Sequence, residues 1–291
     1  MIGTVLNVGF VAVEAGFGFG IQSLALLADA AHNLSDVSGL LIAWGATHLT
    51  QQPPTRSYTY GLGRSSILAA LLNAMILLIA MGGIAWEAIH RFSAADTIPG
   101  ALLIGVAGIG VVINGLTAGL FMAGRHHDLN IRGAFLHMAA DALISLGVVL
   151  TGIALLLTGW YWLDPLISLL IVSVVVYGTW GLFKEALQLS LDRVPNHIEP
   201  LAVQMFLNEL PGVTQIHDLH IWPMSTTQTA LTAHLVMPDG HPDDQFLHHI
   251  TQELKHHFGI GHATLQVETR QCHQACGSIA SVRESASWPT P

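Results

Sequence analysis

The stretch LALLADAAHNLSDVSGLLIAWGATHL, Leu24 to Leu49, is long enough to cross a bilayer, yet it carries Asp29, His32 and Asp36 along its length. A span needs about 20 mostly apolar residues, and ionisable groups inside one are costly, so they face a partner or a water-filled path. His32 and Asp36 stand four apart, on one face of a helix and one turn from each other. The same spacing returns at His137 and Asp141, inside a second apolar stretch from Asn130 to Leu157.

Working outward, further apolar runs cover Ile2 to Ile21, Ser66 to Ile89, Ala101 to Ala123 and Asp164 to Gln188, which makes six expected helical spans in residues 1–190. The composition agrees, with 52% hydrophobic and 10% charged residues and a mean hydropathy of +0.55. Soluble domains hold about 25% charged residues. The first run has no basic n-region and contains Glu14 and five glycines, which fit a true span better than a signal peptide. Its abrupt start leaves room for a native polar tail ahead of Met1. Arg56, Arg64, Arg125 and Arg132 fall in the second and fourth loops and only Arg91 in the others, so both termini are expected on the cytoplasmic side of an inner (plasma) membrane. Trp44, Trp86, Trp160, Trp162 and Trp180 sit near the expected span ends, where indoles favour the interface.

Past Pro195 the pattern turns polar, and 14 of the 29 charged residues lie between Leu191 and Pro291. Helix His197 to Leu210, strands Val213 to Trp222 and Thr229 to Met237, helix Asp243 to Phe258 and strand Ala263 to Thr269 are expected. Residues 195–270 thus read αββαβ, a small α+β domain of the ferredoxin or metallochaperone kind, with helices on one sheet face, marginal alone and helped by a partner subunit. Residues 271–291 read as a flexible tail holding Cys272 and Cys276, the chain's two cysteines. Two cysteines close together make no disulfide framework and suit a reducing compartment. The formal charge of −9 opposes nucleic acid and favours cations.

Two opposed His-Asp faces supply two imidazole nitrogens and two carboxylate oxygens. Tetrahedral N₂O₂ suits Zn²⁺ and, less selectively, Cd²⁺ or Co²⁺, and neutral imidazoles with two carboxylates balance a divalent charge. One such pair alone is equally a hydrogen bond between helices, but two copies in antiparallel spans resemble the pseudo-symmetric midplane sites of secondary transporters. Of the other intramembrane groups, Glu14 pairs with a proton or bonds an Asn or a backbone carbonyl. Asp29 shapes an exit or caps the helix start in water, the cap being favoured. Asn33 makes a packing hydrogen bond, and Gly9, Gly16, Gly18 and Gly20 permit close helix approach. In the C-terminal domain, strict alternation through His217-Asp218-Leu219-His220 puts His217 and Leu219 on one sheet face and Asp218 and His220 on the other.

These motifs, LALLADAAHNLSD with YTYGLGRSSILAALLNA, WEAIHRF, LNIRGAFLHMAADALISLGV, DPLISLLI, HDLHIW and ATLQVE, resemble the cation diffusion facilitator family from about Asn7 to Cys276, and CHQAC resembles its bacterial zinc-efflux branch. The resemblance implies a homodimer of six-span protomers exchanging cytoplasmic Zn²⁺ for protons, with His32, Asp36, His137 and Asp141 as the transport site. It also implies regulatory zinc on His217, His234 and Glu268, with His248 or His249 and tail Cys272 or Cys276 as further ligands. Gln266 stands where some relatives carry a His ligand. The loop from Gln51 to Ser65 lacks Asp, Glu and His, so no metal site is expected there, and Ser66 replaces a common Glu. His126 and His127 either attract metal to the entrance or form a solvated polar loop, the loop being favoured.

An enzyme is disfavoured: four ligands would fill a zinc tetrahedron, and no HExxH, nucleophile elbow or phosphate loop occurs. A membrane sensor that binds metal without moving it remains the rival that flux in sealed vesicles separates.

Overall fold

The computed structural model describes residues 2–50, 52–92, 97–122, 129–240 and 243–270; the side chains of residues 2–8, 40, 43, 46, 47, 50, 121, 129–134 and 137 lie outside that description. The chain forms two compact units, Met1–Pro53 with Ser65–Leu187, and Pro54–Arg64 with the chain from Gln188 onward.

The first unit is helical: α1 (Ile2–Ile21), α2 (Leu24–Thr50), α3 (Ser65–Arg91), α4 (Gly100–Met122), α5 (Leu129–Thr158) and α6 (Leu163–Ser190). Among the described residues, Ser65–Arg91, Gly100–Leu120, Met138–Thr158 and Leu163–Ser190 are long and apolar enough to cross a membrane, and Gly9–Ile21 is a shorter apolar helix. Their outer faces are apolar too: Ile79, Leu120, Leu157 and Tyr177 are exposed, Tyr177 by 88%. Such a surface is stable only against lipid. The core gathers Ala25, Leu26 and Ala28 of α2 with Met81, Leu103, Val148 and Ile171 from α3 to α6.

The start of α2 is held from 140 residues away. A helix leaves its first amides without intrahelical partners. Here the Ser23 hydroxyl accepts from the Leu26 amide and donates to Asp164 Oδ1 at 2.6 Å, while Asp164 Oδ2 accepts from the Leu24 amide at 2.9 Å and Oδ1 from that of Ala25 at 3.4 Å. Asp164 is fully buried. It puts a carboxylate where the helix dipole is positive and ties α2 to α6. Asp29, expected as a cap in water, is instead fully buried in the bundle and bonded to Ser145 of α5. Of the α1 glycines expected at close approach, Gly18 alone is crowded, by Leu27; a Cβ at Gly9, Gly16 or Gly20 would meet nothing within 4 Å. The tight approach is between α4 and α5, where a Cβ on Gly152 would stand 2.7 Å from Ile104.

The second unit holds α7 (Pro200–Asn208), β1 (Gln215–Pro223), β2 (Thr229–Val236), α8 (Asp244–Phe258) and β3 (Ile260–Glu268), in αββαβ order. The sheet order is β1-β2-β3, with β1 antiparallel and β3 parallel to the central β2. Glu199 caps α7 and Asp243 caps α8, which ends on left-handed Gly259. Leu231, Ala233 and Leu235 of β2 are fully buried beneath Val203, Leu207, Ile250 and Leu254 of the two helices. The other sheet face therefore carries Thr232 and His234. The α2–α3 loop belongs to this unit: Tyr60 packs edge-on against His262, Arg64 pairs with Asp192, and a Cβ on Gly63 would stand 2.6 Å from the Met224 carbonyl oxygen.

Replacing Asp164 with Ala strips acceptors from a buried hydroxyl and two amides, so a loss of about 1–3 kcal/mol is expected. Thermal unfolding in detergent, followed by tryptophan fluorescence, should report a clear drop in Tm. An unchanged Tm would mean that the cap does not hold the bundle.

Candidate metal centres

The first centre is built from α2 and α5. His32 Nε2 lies 3.6 Å from Asp36 Oδ2 on its own helix and 3.4 Å from Asp141 Oδ1 on α5. Two carboxylates from two helices thus converge on one imidazole nitrogen. The side chain of Asp141 is 2% exposed, that of His32 18% and that of Asp36 34%, so the group is shielded on the α5 side and reachable from Asp36. His137 lies on α5 one turn before Asp141, and its side chain is outside the described residues. Beside this centre, Asn33 of α2 donates to Glu14 of α1 at 3.2 Å, and Ser145, one turn after Asp141, donates to Asp29, one turn before His32, at 2.9 Å. Asn33 thus makes the packing bond expected of it, and Glu14 bonds to an Asn. Ser145 was not singled out in the sequence, although it follows Asp141 by one turn on the same face.

The second centre is on the open face of the sheet. His217 and His234 pair across β1 and β2, and Gln266 stands opposite His234 on β3. Glu268 reaches back over them, with Oε2 3.1 Å from His217 Nε2 and Oε1 2.9 Å from His234 Nδ1. One ligand atom from each of the three lies within 4.8 Å of the others. Two imidazoles and a carboxylate are a donor set that suits Zn²⁺, with room left for a fourth ligand. Gln266 donates to Glu268 Oε1 at 2.8 Å, orienting the carboxylate rather than replacing a ligand.

Alternation does not hold through HDLH. The ladder shifts between His217 and His220, and Asp218 is left-handed at φ 53°. This bulge inserts a residue, so Ile216 and Ile221, five apart, both face the core, and His217 and His220 both lie on the open face. Leu219 packs on the core. Asp218 consequently sits beside the histidines, with Oδ1 3.0 Å from His220 Nε2 and Oδ2 3.6 Å from His234 Nε2. The odd spacing of the two isoleucines was the sequence signal for it.

Of the remaining expected ligands, those among the described residues are not gathered there. His248 and His249 are exposed on α8, and His248 Nε2 stands 2.9 Å from Gln252 Nε2. Cys272 and Cys276, like His126 and His127, lie outside the described residues.

Comparison with known proteins fits these elements. Residues 1–189 match the description "Cation efflux transmembrane domain" and residues 195–270 match "Cation efflux protein, cytoplasmic domain". The chain belongs to the cation efflux family, the cation diffusion facilitators. It is 35% identical over 274 residues to a cadmium, cobalt and zinc/H(+)-K(+) antiporter of Bacillus subtilis (strain 168), covering 92% of this chain and 88% of that protein. It is 34% identical to the zinc transporter ZitB of Escherichia coli (strain K12), covering 92% and 86%, and 35% identical to the metal cation efflux system protein CzcD of Cupriavidus metallidurans (strain ATCC 43123 / DSM 2839 / NBRC 102507 / CH34), covering 91% and 84%. Divalent-metal efflux by an integral membrane protein is therefore its class of activity.

Zinc binding at His217, His234 and Glu268 requires neutral imidazoles, and free histidine titrates near pH 6.5. Chelator competition with the full chain should find Zn²⁺ affinity falling steeply from pH 7.5 to about pH 5.5. Gln266→Leu should cost on the order of 10-fold in that affinity by loosening Glu268. Affinity unaffected by pH and by loss of Glu268 would remove the second centre.

Proposed function

We propose that this chain exports Zn²⁺ from the cytoplasm in exchange for protons, through a four-ligand site of His32, Asp36, His137 and Asp141 set between six membrane spans. The observation that carries this reading is the convergence of Asp36 and Asp141, from different helices, on His32 Nε2. His137 completes the set by its place one turn before Asp141. Two imidazoles with two carboxylates favour a borderline ion, and the relatives' names span zinc, cadmium and cobalt. Cd²⁺ and Co²⁺ are accordingly secondary substrates.

The chemistry is competition at shared atoms. In the cytoplasm-facing state the site takes metal and gives up protons; in the outward state protons reoccupy the ligands and metal leaves. The relative named as an H⁺-K⁺ antiporter supports a cation as the exchanged partner. Both termini are cytoplasmic in this reading, which puts the second unit in the compartment from which zinc is taken. There residues 195–270 form the dimer contact between two copies of the chain. Zinc on His217, His234 and Glu268 strengthens that contact and favours the metal-accepting state, a coupling that needs different zinc affinities in the two states. Residues 271–291 supply Cys272 and Cys276 as softer additional ligands.

Metal flux into sealed, inside-out vesicles under an imposed proton gradient tests the reading. Asp36→Ala and Asp141→Ala should each abolish zinc flux with the fold retained, since each leaves three ligands and an unbalanced charge. Collapse of the gradient should slow wild-type flux. Near-normal flux in either variant would rule out the site, flux indifferent to the gradient would rule out exchange, and binding without flux would leave a sensor.

Metal preference is expected to follow the imidazoles. His137→Asp makes the donor set harder and should raise Mn²⁺ or Fe²⁺ flux relative to Zn²⁺ in competition assays. An active variant with an unchanged zinc-over-manganese ratio would place selectivity elsewhere.

A further inference from the structure

A second buried polar cluster lies one turn nearer the α1–α2 hairpin than His32 and Asp141, and the reading above does not use it. Glu14 of α1 and Asp29 of α2 are both 0% exposed, and their carboxyl groups are hydrogen-bonding neighbours. The Asn33 amide reaches Glu14 Oε2 at 3.2 Å and Asp29 Oδ1 at 3.5 Å, and the Ser145 hydroxyl donates to Asp29 Oδ2 at 2.9 Å. Among the described residues, Glu14 Oε1 is buried with no hydrogen-bond partner. Helices α1, α2 and α4 contain no Lys or Arg. Among the described residues, the titratable groups facing Glu14 are Asp29 and, farther off, Asp141; His32 acts on Asp29; and α4, which also packs on α1, carries no titratable residue.

Two abutting carboxyl groups shielded from water need one positive charge between them, because neither the amide of Asn33 nor the hydroxyl of Ser145 supplies it. The orphaned oxygen of Glu14 is the atom on which such a charge would sit. We propose that Glu14 and Asp29 form a monocation site, filled by a proton or an alkali ion, which holds the counter-charge while the metal ligands are empty. The proposal rests on the exchange reading above and names the residues that hold the exchanged cation. About one helical turn separates this site from His32, so a divalent ion there repels the monocation and a filled monocation site repels metal. By linkage the two effects are equal in size.

The test uses the full-length protein in sealed proteoliposomes holding internal potassium or an organic cation at one starting pH, with protons moved per Zn²⁺ counted by a pH indicator and potassium by a potassium-sensitive indicator. Glu14→Gln keeps the shape and removes the charge. It should still bind Zn²⁺ within about threefold of wild type in equilibrium competition, while moving one fewer monovalent cation per Zn²⁺. A lost proton that is the same in both salts identifies a proton site, and a loss seen only with potassium identifies an alkali-ion site. A wild-type ratio in Glu14→Gln overturns the proposal and leaves exchange standing. Loss of zinc binding in Glu14→Gln also overturns it, by placing Glu14 among the metal's own supports. Wild-type protein that moves no counter-cation ends the exchange reading and this proposal together. Where Glu14→Gln does not fold, Asp29→Asn must give the same loss of one cation, and an unchanged ratio there overturns the proposal equally.

Discussion

A carboxylate removed from water must be given donors or a cation, and among the described residues four are buried in the helical unit of this protein: Glu14, Asp29, Asp141 and Asp164. The cost of leaving any one uncompensated is several kcal/mol, comparable with the whole stability of a domain. Each is met from another helix. Asp164 of α6 takes the first amides of α2, Asp29 of α2 takes the hydroxyl of Ser145 on α5, Glu14 of α1 takes the amide of Asn33 on α2, and Asp141 of α5 faces His32. Lipid-facing leucines can slide past one another at little cost, whereas these contacts cannot. They fix the axial positions of α1, α2, α5 and α6, and so the height at which His32, Asp36 and Asp141 meet.

The same constraint gives the metal-binding chemistry its economy. Asp141 is buried and faces His32, so a divalent ion entering the proposed site would neutralise charge that the bundle already holds. Burial that would be unfavourable for an empty pair of carboxylates becomes affinity for a cation. A transporter must also release what it binds, and histidine suits this because proton and metal compete for one lone pair near neutral pH.

In the second unit one inserted residue does comparable service. The bulge at Asp218 bends β1, keeps Ile216 and Ile221 in one core and lines up His217 and His220 on the open face, where His234 and Glu268 wait. A regular strand would bury one of those histidines or expose one of those isoleucines. The candidate metal-ligand cluster and the hydrophobic core are thus settled by a single left-handed residue, and Asp is among the few that tolerate it.

By itself, the sequence determined the helical membrane class and the αββαβ order, and it picked out the four residues proposed for transport, because these readings depend on local periodicity and on spacing along one helix or strand. The His-Asp pairs at 32 and 36 and at 137 and 141 were legible for that reason. What the sequence left open are relations between distant residues. That Asp164 rather than Asp29 serves the start of α2, that Asn33 turns to Glu14, and that the α2–α3 loop lies with the sheet are set by packing across more than a hundred residues in the first and last cases. The faces of HDLH were misread because alternation is a local rule, and a bulge is decided by how two strands and two helices share one core. Tertiary structure settles such choices because a buried polar group takes whichever partner the packed chain brings within 3 Å, and no neighbour in sequence announces it.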